Sequence, residues 1–223
     1  MSIVKNPRVG CEFQGALRTV LAIGGLIPVV HSNSGCVIQG YSADCASGVY
    51  FNHGGFEVPS TSVIERHIVF GGASRLREQI KNTVKIIEGE AYILLNGCES
   101  AMVGDDSAAM AKEAVQQGEK VFNCDTAGFR GTAHKGYEHV MTEILRNLPL
   151  LGYENKETAQ PLVNIFGVLP GTDVFYRGEL NELTRILNGI GVKANTFFGD
   201  GGLDEIKRSA KADLSIVFAF TPL

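Results

Sequence analysis

The 223-residue chain is most informative at first through what it lacks. No stretch is apolar for long enough to cross a bilayer, and Met1 to Gly10 holds no apolar run of the secretory type, so a membrane role is disfavoured and a cytoplasmic protein is expected. The formal net charge of -4 is spread over both signs without a basic stripe, which argues against a nucleic-acid partner. There is no internal repeat or low-complexity tract. Neither G-x-G-x-x-G nor G-x-x-x-x-G-K-[ST] occurs, so Gly71-Gly72 is a poor phosphate cradle and ATP is not expected to bind here. No C-x-x-C pair is present, which removes the spacing that makes zinc ribbons and ferredoxins specific.

What is present is a 44% hydrophobic fraction, enough for a real core, together with 27 glycines, several at points where a β-like run gives way to a helical pattern. The recurrent unit is a short β-branched run, a glycine-rich turn and an amphipathic helix, the pattern of parallel sheets covered by helices. Strands are expected at Ile27–His31, Ile68–Phe70, Ala91–Leu95, Lys120–Asn123, Leu162–Val168, Lys193–Phe198 and Leu214–Phe220. Helices are expected over Ser74–Ile87, from Asp105-Asp106 to about Gln117, over Glu179–Ile190 and near Leu203–Ala210. Leu76, Ile80, Val84 and Ile87 recur at three- and four-residue spacing, and the paired aspartates suit the unpaired amides of a helix start.

The polar stretch from Gly152 to Gln160 separates two such blocks. The expected fold is therefore α/β, with Rossmann-like open parallel sheets flanked by helices. Residues 1–155 form one complete α/β domain, and residues 156–223 form part of a second. The chain stops at Leu223 after an apolar strand, where a further helix would be expected, as in a fragment or a domain completed by another chain.

An odd count of five cysteines in a cytosolic chain points to metal ligands, reactive thiols or small core residues rather than a disulfide framework. Cys36 falls at a strand end and at the start of a helix, where a thiol pKa is lowered and the metal-binding thiolate favoured. Cys98 lies just past another strand, and Cys11 sits in a loop ahead of a helical pattern near Gln14. Carboxyl ends of strands converge on the ligand-binding edge of an open sheet, so these residues can share a metal site. The spacing alone is weak evidence for that and sits better with three separate buried or loop thiols. Cys45 and Cys124 read as small packed residues, His31 as a structural hydrogen-bonding histidine, and His53 and His67 as surface groups.

Five strings occur in order: Glu12-Phe13-Gln14-Gly15-Ala16 after Cys11; His31-Ser32-Asn33-Ser34-Gly35-Cys36; Ile68-Val69-Phe70-Gly71-Gly72; Cys98 followed by Val103-Gly104-Asp105-Asp106; and Gly128-Phe129-Arg130-Gly131. In that order and spacing the chain, from about Cys11 to about Phe220, resembles the nitrogenase component 1 family. That family includes molybdenum-iron protein subunits, their cofactor-assembly scaffolds and related tetrapyrrole reductases.

The resemblance implies that Cys11, Cys36 and Cys98 bind an iron–sulfur cluster at a subunit interface. The cluster is either of the 4Fe–4S type or the larger P-cluster, completed by an identical or homologous partner subunit. It implies an oxidoreductase component that relays single electrons from an ATP-dependent iron–sulfur reductase. The alternatives are a cofactor-assembly scaffold and a cluster-free truncated homologue acting as an interaction module. Gly10, Gly35 and Gly97 would let backbone approach the sulfides. Arg130, His134 and His139, near the Gly-Phe-Arg-Gly string, are candidates for catalytic or cofactor contact, although Thr132-Ala133-His134-Lys135-Gly136-Tyr137 departs from the dinitrogen-reducing pattern. Arg130 can hold an anionic ligand or pair with a nearby carboxylate. Family members are much longer and carry a third α/β domain, so this length of chain cannot build the usual active site alone.

Overall fold

A computed structural model describes residues 10–47, 56–153, 160–199 and 201–218, with side chains omitted for residues 43–47. The first sheet contains β1 (Leu26–His31), β2 (Ala91–Asn96) and β3 (Val121–Cys124), all parallel and ordered β1-β2-β3. Strand side chains alternate between faces, and both faces are covered: every residue of β2 is buried, as are all but one each of β1 and β3. Ala91, Ile93 and Leu95 pack with α1 (Glu12–Leu21) and α7 (Ala133–Arg146) in one apolar cluster. Tyr92 and Leu94 pack with Leu76 and Ile80 of α4 (Ala73–Ile86) and with Ala111 and Ala114 of α6 (Ser107–Gln116) in another. A sheet covered on both faces explains why β1 and β2 read as continuous apolar runs.

Helices α1 and α7 cross where neither can carry a side chain. A Cβ on Gly15 would lie 2.0 Å from the Ala133 carbonyl oxygen, and one on Gly136 would lie 2.0 Å from the Glu12 carbonyl oxygen. This close crossing draws the start of α1 against the segment after β3. Glu12 N–H donates to the Gly131 carbonyl at 2.9 Å, and Cys11 bridges Thr132.

Around this sheet lie α2 (Ser34–Ser47), α3 (Glu65–Phe70) and α5 (Cys98–Val103), with the four-residue α8 (Leu148–Leu151) after α7. A second parallel sheet, ordered β5-β4-β6, comprises β4 (Leu162–Phe166), β5 (Lys193–Asn195) and β6 (Leu214–Val217), accompanied by α9 (Tyr176–Gly189) and α10 (Leu203–Ser209). The expected linker falls largely on residues 154–159, outside the described ones. Ile165, Phe197, Leu203 and Ile206 of the second block join Leu17, Val20 and Ile144 of the first in one apolar cluster. Tyr137 Oη also accepts the Gly167 N–H at 2.8 Å.

Four expectations need correction. Ile68–Phe70 closes helix α3 rather than forming a strand, and Phe70 is 86% exposed. Strand β4 ends at Phe166 because Gly167 turns to φ +97°, and β5 ends at Asn195, short of Phe197, which takes φ +67° and stacks on Phe166 with ring centroids 4.7 Å apart. Asp106 caps α6 by accepting from Ala109 N–H at 2.9 Å, whereas Asp105 is turned away to other partners.

Candidate functional site

Strands β1, β2 and β3 deliver their carboxyl ends to one edge, and the segments leaving that edge carry the thiols. After β1 the chain runs through Ser32 and Asn33 into α2, placing Cys36 in its first turn; Asn33 Oδ1 accepts the Cys36 N–H at 3.2 Å as a helix cap. After β2, Cys98 opens α5. After β3 comes the short 3-10 turn Gly128–Arg130, and the Thr132 bridge holds Cys11, the residue before α1, beside it.

A Cβ on Gly128 would sit 2.9 Å from Cys11 Sγ and 3.3 Å from Cys98 Sγ, so both sulfurs border the hydrogen of that glycine. All three cysteines are partly buried. The pKa of the Cys36 thiol is pushed up, first by burial and then by Glu99 and the Cys98 and Cys11 sulfurs, against a lowering contact from the Ser32 hydroxyl. The Cys98 and Cys11 sulfurs are thus near enough to Cys36 to act on its pKa. The expected lowering at the helix start is overturned, because desolvation of a thiolate outweighs the dipole.

Among the described residues, no group of three or more His, Cys, Asp or Glu side chains is gathered tightly enough for one metal ion. A single zinc requires sulfurs about 2.3 Å from one point. A multi-iron cluster, by contrast, spreads its ligands over several metals and needs no single point of convergence.

Polar contacts hold this edge together. Gln14 Nε2, one turn into α1, donates to the Cys36 carbonyl at 2.8 Å. His31 is fully buried, with Nδ1 3.0 Å from Thr61 Oγ1 and Nε2 3.0 Å from Asp105 Oδ2; Asp105 also accepts the Gly72 N–H at 2.9 Å. The start of α4 is thus occupied by the protein's own carboxylate. Burial lowers the His31 pKa against the opposing pull of Asp105. At Gly97 a Cβ would meet Ser32 Oγ at 2.1 Å, so the missing side chain makes room for Ser32.

The three other candidates are not brought to one point. Arg130 pairs with Asp125 at the surface. His139 Nδ1 lies 2.7 Å from Oε1 of the buried Glu12, an ion-pair distance without aligned hydrogen-bond geometry; burial raises the Glu12 pKa despite His139, Lys135 and Arg130 nearby. Of the three, His134 lines a cavity of about 530 Å³ whose walls include Thr132, Tyr137, Met141, Phe166 and Phe218, and burial lowers its pKa. Cys124 is buried in the core and its pKa is raised by desolvation, while the Cys45 side chain and His53 lie outside the described residues.

The profile of a family described as nitrogenase component 1 type oxidoreductase matches residues 11–220. The nitrogenase molybdenum-iron protein alpha chain of Methanosarcina barkeri is 28% identical over 219 residues, covering 93% of this chain and 39% of the relative. The corresponding beta chain of Rippkaea orientalis is 29% identical over 209 residues, covering 89% of this chain and 38% of the relative. A solved structure titled nitrogenase Cp1 at pH 6.5 superposes with a TM-score of 0.74 at 26% identity, over 93% of this chain and 40% of that one. The chain therefore spans about two fifths of the length of the curated relatives it matches.

Proposed function

Because this chain belongs to the nitrogenase component 1 type oxidoreductase family, we propose that it is a cytoplasmic redox subunit, or part of one, that binds an iron–sulfur cluster through Cys11, Cys36 and Cys98. The observation that carries the reading is the approach of Cys11 and Cys98 to Gly128, with Cys36 in the first turn of the helix that leaves the same sheet edge. Such a cluster, when bound, supplies one-electron acceptance and donation at a potential set by burial and hydrogen bonding.

The chain's own residues bind and orient. Each thiol gives up its proton on ligation, and at Cys36 a metal's charge would offset the burial that favours the thiol form. Gln14 and Asn33 grip the backbone of Cys36 from either side, and Gly128 packs over Cys11 in place of water. An edge that offers these three thiols fits a site completed by an identical or homologous subunit, in a 4Fe–4S or P-cluster arrangement.

Electrons come in this reading from an ATP-dependent iron–sulfur reductase. Beside the thiol edge, Val69 and Phe70 of α3 and Met102 of α5 are exposed, 72%, 86% and 77% respectively, an apolar surface suited to a protein partner. The cavity lined by His134 is the candidate place for substrate or cofactor contact, with Arg130 and His139 outside its lining. Residues 1–155 are the cluster-bearing domain and residues 156–223 a second domain packed on it.

Anaerobic purification with iron and acid-labile sulfide analysis, followed by electron paramagnetic resonance, tests the proposal. Wild-type protein is expected to hold iron and sulfide that Cys11→Ala, Cys36→Ala and Cys98→Ala each lose. A wild type that stays colourless and iron-free after reconstitution with iron and sulfide removes the redox role.

A further inference from the structure

Glu99 directly follows Cys98, yet its carboxylate is turned back onto the loop that carries Cys36. Oε2 accepts from Ser32 Oγ at 2.8 Å, and Oε1 accepts from the Asn33 side-chain amide. The other end of that amide, Asn33 Oδ1, accepts the backbone N–H of Cys36 at 3.2 Å. A continuous path of hydrogen bonds therefore runs from the residue beside one thiol to the backbone of another. On the opposite side, Ser100 Oγ and the Gly97 N–H both donate to the His31 carbonyl, at 2.7 and 2.9 Å, holding the start of α5 against the end of β1. Room for the path exists only because residue 97 has no side chain, since a Cβ there would lie 2.1 Å from Ser32 Oγ and 2.4 Å from Ser32 Cβ.

We propose that Glu99 is a positioning residue of the thiol site: its carboxylate brackets the Ser32-Asn33 loop to the start of α5 and thereby fixes the separation of Cys36 from Cys98. The purpose of that spacing rests on the cluster reading above, but the bracket itself does not. A carboxylate serves here because both partners are donors, and an ionised acceptor makes the stronger bond to each. An amide at the same position would accept from one partner and present its own N–H to the other. Glu99 acts on the thiols through Ser32 and Asn33 and need not touch a metal.

The test uses the cluster-free, reduced full chain and a short bis-methanethiosulfonate reagent that bridges two thiols, with bridged peptides quantified by mass spectrometry. Bridging of Cys36 to Cys98 is expected to be about fivefold slower in Glu99→Ala, the effect of losing a partly exposed charge-assisted contact. Glu99→Gln falls between Glu99→Ala and wild type, and adding Asn33→Ala to Glu99→Ala slows bridging no further, because both act on one path. In iron-loaded protein, Glu99→Ala is expected to lose iron faster to a chelator. Wild-type bridging rates in Glu99→Ala would overturn the proposal. If that variant fails to fold by circular dichroism, Glu99→Gln decides, and a wild-type rate there overturns it equally. A wild type that takes up no iron while Glu99→Ala still slows bridging refutes the cluster reading and leaves the bracket standing; normal iron binding with unaltered bridging does the reverse.

Discussion

At single residues, the site is governed by competition between burial and partners. Cys36 sits at a helix start, which favours thiolate, and is partly buried with Glu99 and two more sulfurs nearby, which does not; the second influence wins. His31 shows the same contest, with burial lowering its pKa below the ordinary 6.5 although Asp105 pulls the other way. In the pH range between the depressed folded value and 6.5, the unfolded chain binds more protons, so the stability held by neutral His31 is full above about pH 6.5 and lost as pH falls toward the folded value. Denaturant midpoints measured at about pH 7.5 and about pH 5.5 should show wild type losing stability on acidification, and His31→Gln losing less. His134, also depressed by burial, contributes with the same sign, so the slope shrinks without vanishing. Gly128→Ala is expected to push Cys11 and Cys98 apart and to lower bound iron while leaving far-ultraviolet circular dichroism unchanged, since its Cβ would lie 2.9 Å from Cys11 Sγ. The three thiols were legible in the sequence because each follows a strand-like run or precedes a helical one. Glu99, Asp105 and Gln14 were not, because their partners Asn33, His31 and Cys36 lie 66, 74 and 22 residues away and no local pattern encodes such a contact.

At the level of elements, the crossing of α1 and α7 decides where Cys11 goes. Gly15 and Gly136 let the helices approach until side chains at either position would strike backbone, so Gly136→Ala should destabilise the fold by about 1–3 kcal/mol in denaturant titrations, the usual cost of overpacking. The cap of α6 is an independent check, with Asp106→Ala expected to cost about 1 kcal/mol and to leave iron content unchanged. Strands β1 and β2 were readable because a doubly covered parallel sheet writes itself as unbroken apolar runs. Ile68–Phe70 misled for the complementary reason. Its β-branched apolar character belongs to an exposed helix face, and burial cannot be told from exposure in so short a run. The ends of β4 and β5 depended on backbone turns at Gly167 and Phe197, and at Phe197 the turn is dictated by stacking on Phe166, a tertiary contact.

Across the whole molecule, the two sheets share one apolar cluster although the sequence reads as two blocks. Phe197 and Leu203, from the second block, are fully buried in the same cluster as Leu17 and Ile144 from the first. Lys207 of α10 also reaches Glu90, before β2, at 2.7 Å. Unfolding should therefore be one cooperative transition. Leu203→Ala is expected to cost about 2–5 kcal/mol and to shift the midpoints of probes in both blocks equally; separate transitions would show two independent cores. The polar stretch pointed to two blocks, whereas the shared core was not legible, because it is made by contacts between residues distant in sequence. The central claim, that Cys11, Cys36 and Cys98 hold one cluster, is tested most directly by alkylation footprinting of the three thiols before and after anaerobic reconstitution with iron and sulfide. The account predicts that all three lose reactivity together and that substituting any one exposes the other two; three thiols that stay as reactive as in the metal-free protein would contradict it.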